Sequence, residues 1–167
     1  FEGALAQGLV TYIPDSVWQD YYARIAQEAI HPENVRKAGL RVVYSPLCGA
    51  GGEPVSEILT RLGAELHIPE SQRRPSGDFA TCPTPNPETD VSFEENYRLA
   101  AEVKPDLVLA TDPDSDRIAA AIPTENGFRK FTGNEMGCLL LDYILRGLKE
   151  RGKLPEQPVA VESIVST

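Results

Sequence analysis

Two apolar runs, at residues 106–111 and 118–122, are separated by only six residues, Asp112-Pro113-Asp114-Ser115-Asp116-Arg117. Parallel neighbours in a sheet need a crossover of a dozen or more residues, usually a helix. The second run must therefore lie antiparallel to the first or leave the loop at a sharp angle. Upstream the chain shows the opposite pattern. Residues 40–44 read as a short apolar strand and residues 45–52 as a glycine-rich loop. Residues 53–62 read as a helix with Val55, Ile58, Leu59 and Leu62 on one face and Gly63 as its C-cap. Residues 65–68 read as a second strand, closed by Pro69. That is a βαβ unit, whose strands are parallel. One parallel unit plus one tight return calls for a mixed sheet. The expected fold is α/β, a three-layer α/β/α sandwich with a small mixed sheet.

The other segments fit around that frame. Residues 9–13 are an edge strand or an extended lead-in, ended by Pro14. Asp15 or Ser16 offers an N-cap to an amphipathic helix over 16–30. Its stripe of Val17, Trp18, Tyr21, Tyr22, Ile25 and Ala29 is expected to pack in the core. Pro32 stops that helix or starts a short extra turn. Residues 71–90 are polar and rich in proline, with Arg73 and Arg74 either solvated or close to a phosphate. Ser92 and Glu95 form a capping box for a helix to about residue 102, burying Phe93, Tyr97 and Ala100 or Ala101. Glu125-Asn126-Gly127 is a hairpin turn into a returning strand. Thr132 and Glu135 form a second capping box, followed by the stripe Met136, Leu139, Leu140, Tyr143, Ile144 and Leu148. Residues 159–165 are the last strand signal. Both ends look cut, which points to a piece of a larger protein or the ordered part of one.

Composition narrows the function. The 167 residues carry a formal net charge of -9. So acidic a surface disfavours nucleic acid and anionic membranes as partners. It leaves room for an anionic substrate wherever a metal and arginines reverse the local field. Cys48, Cys82 and Cys138 form no CxxC pair, which argues against a disulfide scaffold or a zinc cluster. Reduced thiols fit a cytoplasmic protein best. No apolar run approaches the roughly 20 residues needed to cross a bilayer.

Asp112, Asp114 and Asp116 alternate in a loop at the carboxyl end of an expected central strand, where open α/β sheets bind ligands. Three converging carboxylates repel one another, and a hard divalent cation removes that penalty. The alternative is a solvated acidic loop. An EF-hand also begins D-x-D-x-D but needs glycine sixth and an acid twelfth; here those positions are Arg117 and Pro123. Arg117 either neutralises the aspartates or binds a phosphate beside the ion. Metal, arginine and carboxylates together allow phosphoryl transfer, although neither His31, His67, Ser45 nor Ser115 offers a convincing nucleophile or base. The loop Cys48-Gly49-Ala50-Gly51-Gly52 lacks both GxGxxG and Walker spacing. It serves as a structural turn, touches phosphate, or packs against another part of the cleft.

These motifs resemble the second domain of the α-D-phosphohexomutases, the phosphoglucomutase/phosphomannomutase family. Asp112-Pro113-Asp114-Ser115-Asp116-Arg117 is similar to its metal loop. Ser45-Pro46-Leu47-Cys48-Gly49-Ala50-Gly51, Gly77-Asp78-Phe79, Pro85-Asn86-Pro87-Glu88 and Thr132-Gly133-Asn134-Glu135 follow in the family's order. Many relatives have histidine in place of Cys48 and threonine in place of Ala50, which leaves the local role of that loop open. The resemblance implies a four-domain enzyme that uses Mg²⁺. It moves phosphate between O1 and O6 of a hexose through a bisphosphorylated sugar and a phosphoserine in the first domain. It makes Asp112, Asp114 and Asp116 the metal ligands and puts Arg117 in the active cleft. The implied partners are hexose phosphate, hexose bisphosphate and the first, third and fourth domains. Residues 1–35 are then a linker and the helix leading into the domain, 36–155 the metal-loop domain, and 156–167 the start of the next. Alone, the chain is expected to be inactive. The competing reading is a non-enzymatic module that binds sugar phosphate or a divalent metal.

Overall fold

β1 (Arg41–Ser45) and β3 (Leu107–Thr111) lie side by side and parallel, with Val43 opposite Val108 and Ser45 opposite Ala110. β2 (Glu65–His67) pairs with the outer edge of β1, also parallel. β4 (Ile118–Thr124) returns antiparallel along β3, and β5 (Gly127–Lys130) closes a hairpin with β4. The sheet order is β2-β1-β3-β4-β5, so β3 occupies its centre. The structure, a computed structural model, describes residues 1–162.

Helices cover both faces, as the expected three-layer fold requires. The chain runs outward from β1 to β2 through α4 (Gly52–Leu62), then back past β1 to β3 through α5 (Glu94–Val103). Crossovers of one hand that travel in opposite directions deposit their helices on opposite faces. On the α5 face, Val43, Val108, Ala110, Ala119 and Ala121 pack with Phe93 and Ala100. The alanines of β4 leave room for the rings of Phe93, Tyr97 and Phe128; Tyr97 and Phe128 stack 4.9 Å apart. Fully burying a ring such as Phe93 contributes about 1.5–3 kcal/mol. On the α4 face, Val42, Tyr44, Leu109 and Ala120 meet Val55 and Leu59. Adjacent residues of each strand thus serve opposite layers, the period-two signature of a sheet buried on both sides.

Several local expectations need correction. Residues 9–13 join no strand, which excludes the edge strand and leaves the lead-in; a short helix, α1 (Glu2–Ala6), precedes them. α2 (Asp15–Glu28) starts after Pro14, and neither Asp15 nor Ser16 is its N-cap residue. Its aromatic stripe is buried only at Tyr22, which packs under the Arg61 guanidinium at 4.8 Å. Val17, Trp18 and Tyr21 stay 39–50% exposed, because α2 docks on the outside of α4 rather than on the sheet. Pro32 starts a further helix, α3 (Pro32–Ala38). Ser92 is no cap either. It is buried in a single 3₁₀ turn, Val91–Phe93, and donates its hydroxyl proton to the Thr89 carbonyl at 2.8 Å. α5 therefore begins at Glu94, directly after that turn and without a side-chain cap. The second capping box is present: Glu135 N–H donates to Thr132 Oγ1 at 3.2 Å, and Thr132 N–H donates to Glu135 Oε2 at 2.9 Å. It opens α6 (Gly133–Glu150). Residues 159–162 lie in no strand, and residues 163–165 of the strand expected at 159–165 fall outside the described residues. Among the described residues no helix is long and apolar enough to cross a membrane.

Candidate metal centre

The order β2-β1-β3 makes the gap between β1 and β3 a topological switch point, the place where open α/β sheets hold ligands at the carboxyl ends of their strands. Two loops flank it: residues 46–51 after β1 and residues 112–117 after β3.

The second loop folds around Asp112. The Asp112 N–H donates to the Arg117 carbonyl at 3.3 Å, and Ser115 N–H donates to the Asp112 carbonyl at 3.0 Å. Ser115 adopts a left-handed conformation, φ 62°, which turns the chain back within six residues. Asp112 is 1% exposed. Its Oδ1 accepts the Arg117 backbone N–H at 3.0 Å, and its Oδ2 accepts Arg117 Nε–H at 2.8 Å. Asp114 and Asp116 are exposed. Each of Asp112, Asp114 and Asp116 offers a carboxylate oxygen within 4.8 Å of the others.

Electrostatics separates these acids. Burial pushes the Asp112 carboxyl up, but the backbone and side-chain hydrogen bonds from Arg117 outweigh it and hold the group below the ordinary aspartate value. Asp116 moves the other way. Its side-chain hydrogen bond to Asp112 raises it, and the negative charges of Asp112 and Asp114 add to that. Arg117, bonded to Asp112, is raised above an already high value. The cluster is therefore one buried, ionised acid and an exposed acid that resists ionising. These hard oxygen donors suit a divalent cation, which would relieve the repulsion at Asp116. Each Asp112 oxygen retains acceptor capacity beyond its bond to Arg117, so that bond does not bar it from a metal.

The loop after β1 packs against the acidic loop. A β-carbon on Gly49 would overlap the backbone of Pro113. Ala50 N–H donates to the Pro113 carbonyl at 2.8 Å. A β-carbon on Gly51 would lie 2.5 Å from Ser115 Oγ and 2.6 Å from Tyr44 Oη. Beneath, Tyr44 Oη and Thr111 Oγ1 share a buried hydrogen bond of 2.8 Å. Burial pushes the Tyr44 phenol up to about 12, so it stays neutral. Ser45 Oγ donates to Gln72 Oε1 at 2.6 Å, and Gln72 Nε2 donates to the Thr81 carbonyl at 3.0 Å. This floor fastens the proline-rich segment to β1. Of the roles open to the glycine-rich loop, two are observed: it is a turn, in which Gly49 N–H donates to the Pro46 carbonyl at 2.8 Å, and it packs against the acidic loop.

Arg117 also donates through its terminal amino group to Asn86 Oδ1 at 3.3 Å. Asn86 was legible only as part of a motif, because sequence spacing does not show that residue 86 reaches residue 117. Beside Arg117 a hollow of about 440 Å³ is lined by Glu88, Ile118, Lys130 and Thr132. Arg73 pairs with Glu70 at 2.9 Å and, with Arg74, lines a separate groove along α4. His31 and His67 lie away from the acidic loop, bonded to Tyr143 and Glu150 and to Glu65.

Residues 19–127 match the family described as phosphoglucomutase/phosphomannomutase, alpha/beta/alpha domain II. A phosphomannomutase of Mycoplasmoides pirum is 29% identical over 160 residues, covering 95% of this chain and 29% of the relative. A phosphoglucomutase of Staphylococcus epidermidis is 31% identical, covering 96% of this chain and 28% of its own length. A probable phosphoribomutase of Schizosaccharomyces pombe is 32% identical, covering 89% and 26%. This chain thus spans less than a third of each relative. A crystal structure of a phosphoglucomutase/phosphomannomutase family protein from Burkholderia thailandensis superposes with a TM-score of 0.54 at 17% identity, over 73% of this chain and 26% of that one. The shared fold is what that superposition shows.

Proposed function

Because the chain belongs to the phosphoglucomutase/phosphomannomutase family, matching its alpha/beta/alpha domain II, we propose that Asp112, Asp114 and Asp116 hold the Mg²⁺ of a phosphohexomutase. One observation carries this reading: three carboxylate oxygens within 4.8 Å of one another at a topological switch point. In the full-length protein, phosphate moves between O1 and O6 of a hexose. A phosphoserine in the first domain gives its phosphoryl group to one sugar hydroxyl, and the bisphosphorylated sugar returns the other phosphate to the serine. When bound, a divalent ion draws negative charge from the transferring phosphate.

The residues of this chain supply placement. Asp112 is held ionised and oriented by Arg117. Asp114 and Asp116 remain exposed on the open side of the loop. The Arg117 side chain, half exposed, keeps donors free for an anionic phosphate beside the ion. The nucleophilic serine and the groups that recognise the sugar belong to domains outside this chain, so the isolated chain does not turn over substrate. Residues 1–35 form the linker and the helix leading in, 36–155 the metal-loop domain, and 156–167 the start of the next domain. The cytoplasm is the compartment that fits its free thiols.

The test is turnover of glucose 1-phosphate by the full-length protein with Mg²⁺ and a trace of the bisphosphate. Activity lost in EDTA and in Asp114→Asn supports the reading; full activity in both contradicts it. Ribose 1-phosphate belongs in the same assay, because one relative is named a probable phosphoribomutase. If the full-length protein binds metal and sugar phosphate but turns over neither substrate, the alternative of a binding module holds.

A further inference from the structure

α6 is fixed at both ends and bare in the middle. Its start is held by the Thr132–Glu135 box and by Met136, which packs on the core. Near its end, Gly147 is seated against Ile30, where a β-carbon would collide. The His31 ring lies between Tyr143 Oη at 3.1 Å and Glu150 Oε2 at 3.0 Å. Arg151 donates to the carbonyls of Ala29 and Ile30. Between these anchors, Leu139, Leu140, Leu141, Tyr143 and Ile144 are 42–53% exposed. At 3.6 residues per turn these positions span about 200° of the helix circumference. A surface helix carries a single apolar stripe, whereas one apolar over most of its girth is a buried helix. Something therefore covers this segment in the assembled protein.

Three observations name the cover. The family match for domain II stops at residue 127, so α6 lies beyond the matched unit. The relatives extend well past this chain, which covers 26–29% of them. Residues 151–162 leave α6 without regular structure, and Val159 and Val161 along them are 83% and 91% exposed. That dozen residues reaches at most about 40 Å, against about 27 Å for the 18-residue helix. The chain can double back along α6 without strain. Apolar residues at alternate positions, unpaired here, suit a strand whose sheet is built by later residues.

We propose that the middle of α6 is the docking face for the polypeptide that follows residue 162 in the full-length protein, an interface within one chain rather than between two copies. It rests on the reading of this chain as domain II of a longer enzyme. Its rim is polar, with Asp142 paired to Arg146 at 2.9 Å and Arg129 to Glu135 at 2.6 Å. A hollow of about 450 Å³ beside Cys138 and Leu139 receives the incoming side chains.

Cys138 is an exposed thiol about 60° beyond the Leu141 edge of the apolar arc; with Leu139 it lines the hollow that receives the incoming side chains, and so it reports on the rim of the interface. The experiment alkylates the native full-length protein and follows the Cys138 peptide by mass spectrometry, with urea-unfolded protein as reference. Labelling at least 10-fold slower in the native monomer, unchanged on dilution, is the expected result. Leu140→Ser with Ile144→Ser should restore it. Hydrogen exchange of residues 136–148 in the unsubstituted protein gives a second readout independent of any variant. Labelling as fast as in the unfolded reference overturns the proposal. So does protection that disappears on dilution as a dimer dissociates, which would assign the face to a second copy. Glucose 1-phosphate turnover measured on the same sample separates the two readings. Turnover with a reactive Cys138 removes the interface and leaves the mutase; protection without turnover does the reverse.

Discussion

Gly49 sits against the backbone of Pro113 so closely that residue 49 has no room for a side chain. The contact joins the loop after β1 to the acidic loop after β3, and the hydrogen bond from Ala50 to Pro113 lies next to it. The metal loop is thus shaped from behind by a neighbour that contributes no ligand. Gly49→Ala should displace Pro113 and with it Asp112 and Asp114. Overpacking of this kind costs about 1–3 kcal/mol. Urea unfolding should show that loss, and Mn²⁺ titration should show weakened binding in the folded variant.

Asp116 gives a test in the absence of metal. Its folded-state pKa is raised by Asp112 and Asp114. The ionised form is therefore less stable in the folded chain than in the unfolded one. The relative stabilisation is complete below the ordinary aspartate value and is lost as pH rises through the raised one. Asp116→Asn in EDTA should raise the Tm at pH 7, with the gain vanishing in acid. Added Mg²⁺ should reverse the order of the two proteins at pH 7. Thermal melts across pH, with and without the ion, measure both effects.

Asp112 carries the opposite sign. Its folded-state pKa is depressed, chiefly because the hydrogen bonds from Arg117 outweigh burial. The stabilisation is present above the ordinary aspartate value and is lost as pH falls through the depressed one. Arg117→Ala removes the side-chain bond and leaves a buried carboxylate short of a partner. The variant should be destabilised at pH 7, by an amount that shrinks towards acid pH. Its Asp112 should titrate higher than in the wild type, which carboxyl NMR would record.

Thr132→Ala should cost about 1 kcal/mol, the usual loss for a capping threonine. Guanidinium unfolding of the wild type and the variant measures it. The loss should leave Mn²⁺ affinity unchanged, because α6 contributes no candidate ligand.

The capping box at Thr132 was readable because both partners lie within one turn and on the surface. The same letters at Ser92 and Glu95 misled. Ser92 is drawn into the core beside Phe93, and its hydroxyl answers to Thr89 instead. The sheet was legible for a related reason. Leu107–Thr111 and Ile118–Thr124 are joined too tightly for a parallel pair, and of the two arrangements left the antiparallel one is observed, while the β1–α4–β2 unit fixes the parallel part. The acidic cluster was legible as alternating carboxylates. What escaped was everything set by distance in space. Arg117 reaching Asn86, Tyr44 bonding Thr111 and Gln72 under Ser45 join residues 25 or more positions apart. The stripe of α2 was read as core-facing because periodicity reports an apolar face but not what covers it.

The central claim is that Asp112, Asp114 and Asp116 form one divalent-metal site. Calorimetric titration of Mn²⁺ or Mg²⁺ into the wild-type chain and into Asp114→Asn tests it most directly. Asp114 is exposed, so its amide variant should keep the fold, checked by far-UV circular dichroism. The expected result is a single site in the wild type, weakened at least 10-fold in the variant. Equal affinity in the two proteins, or no saturable binding to the wild type in either this chain or the full-length protein, would contradict the account.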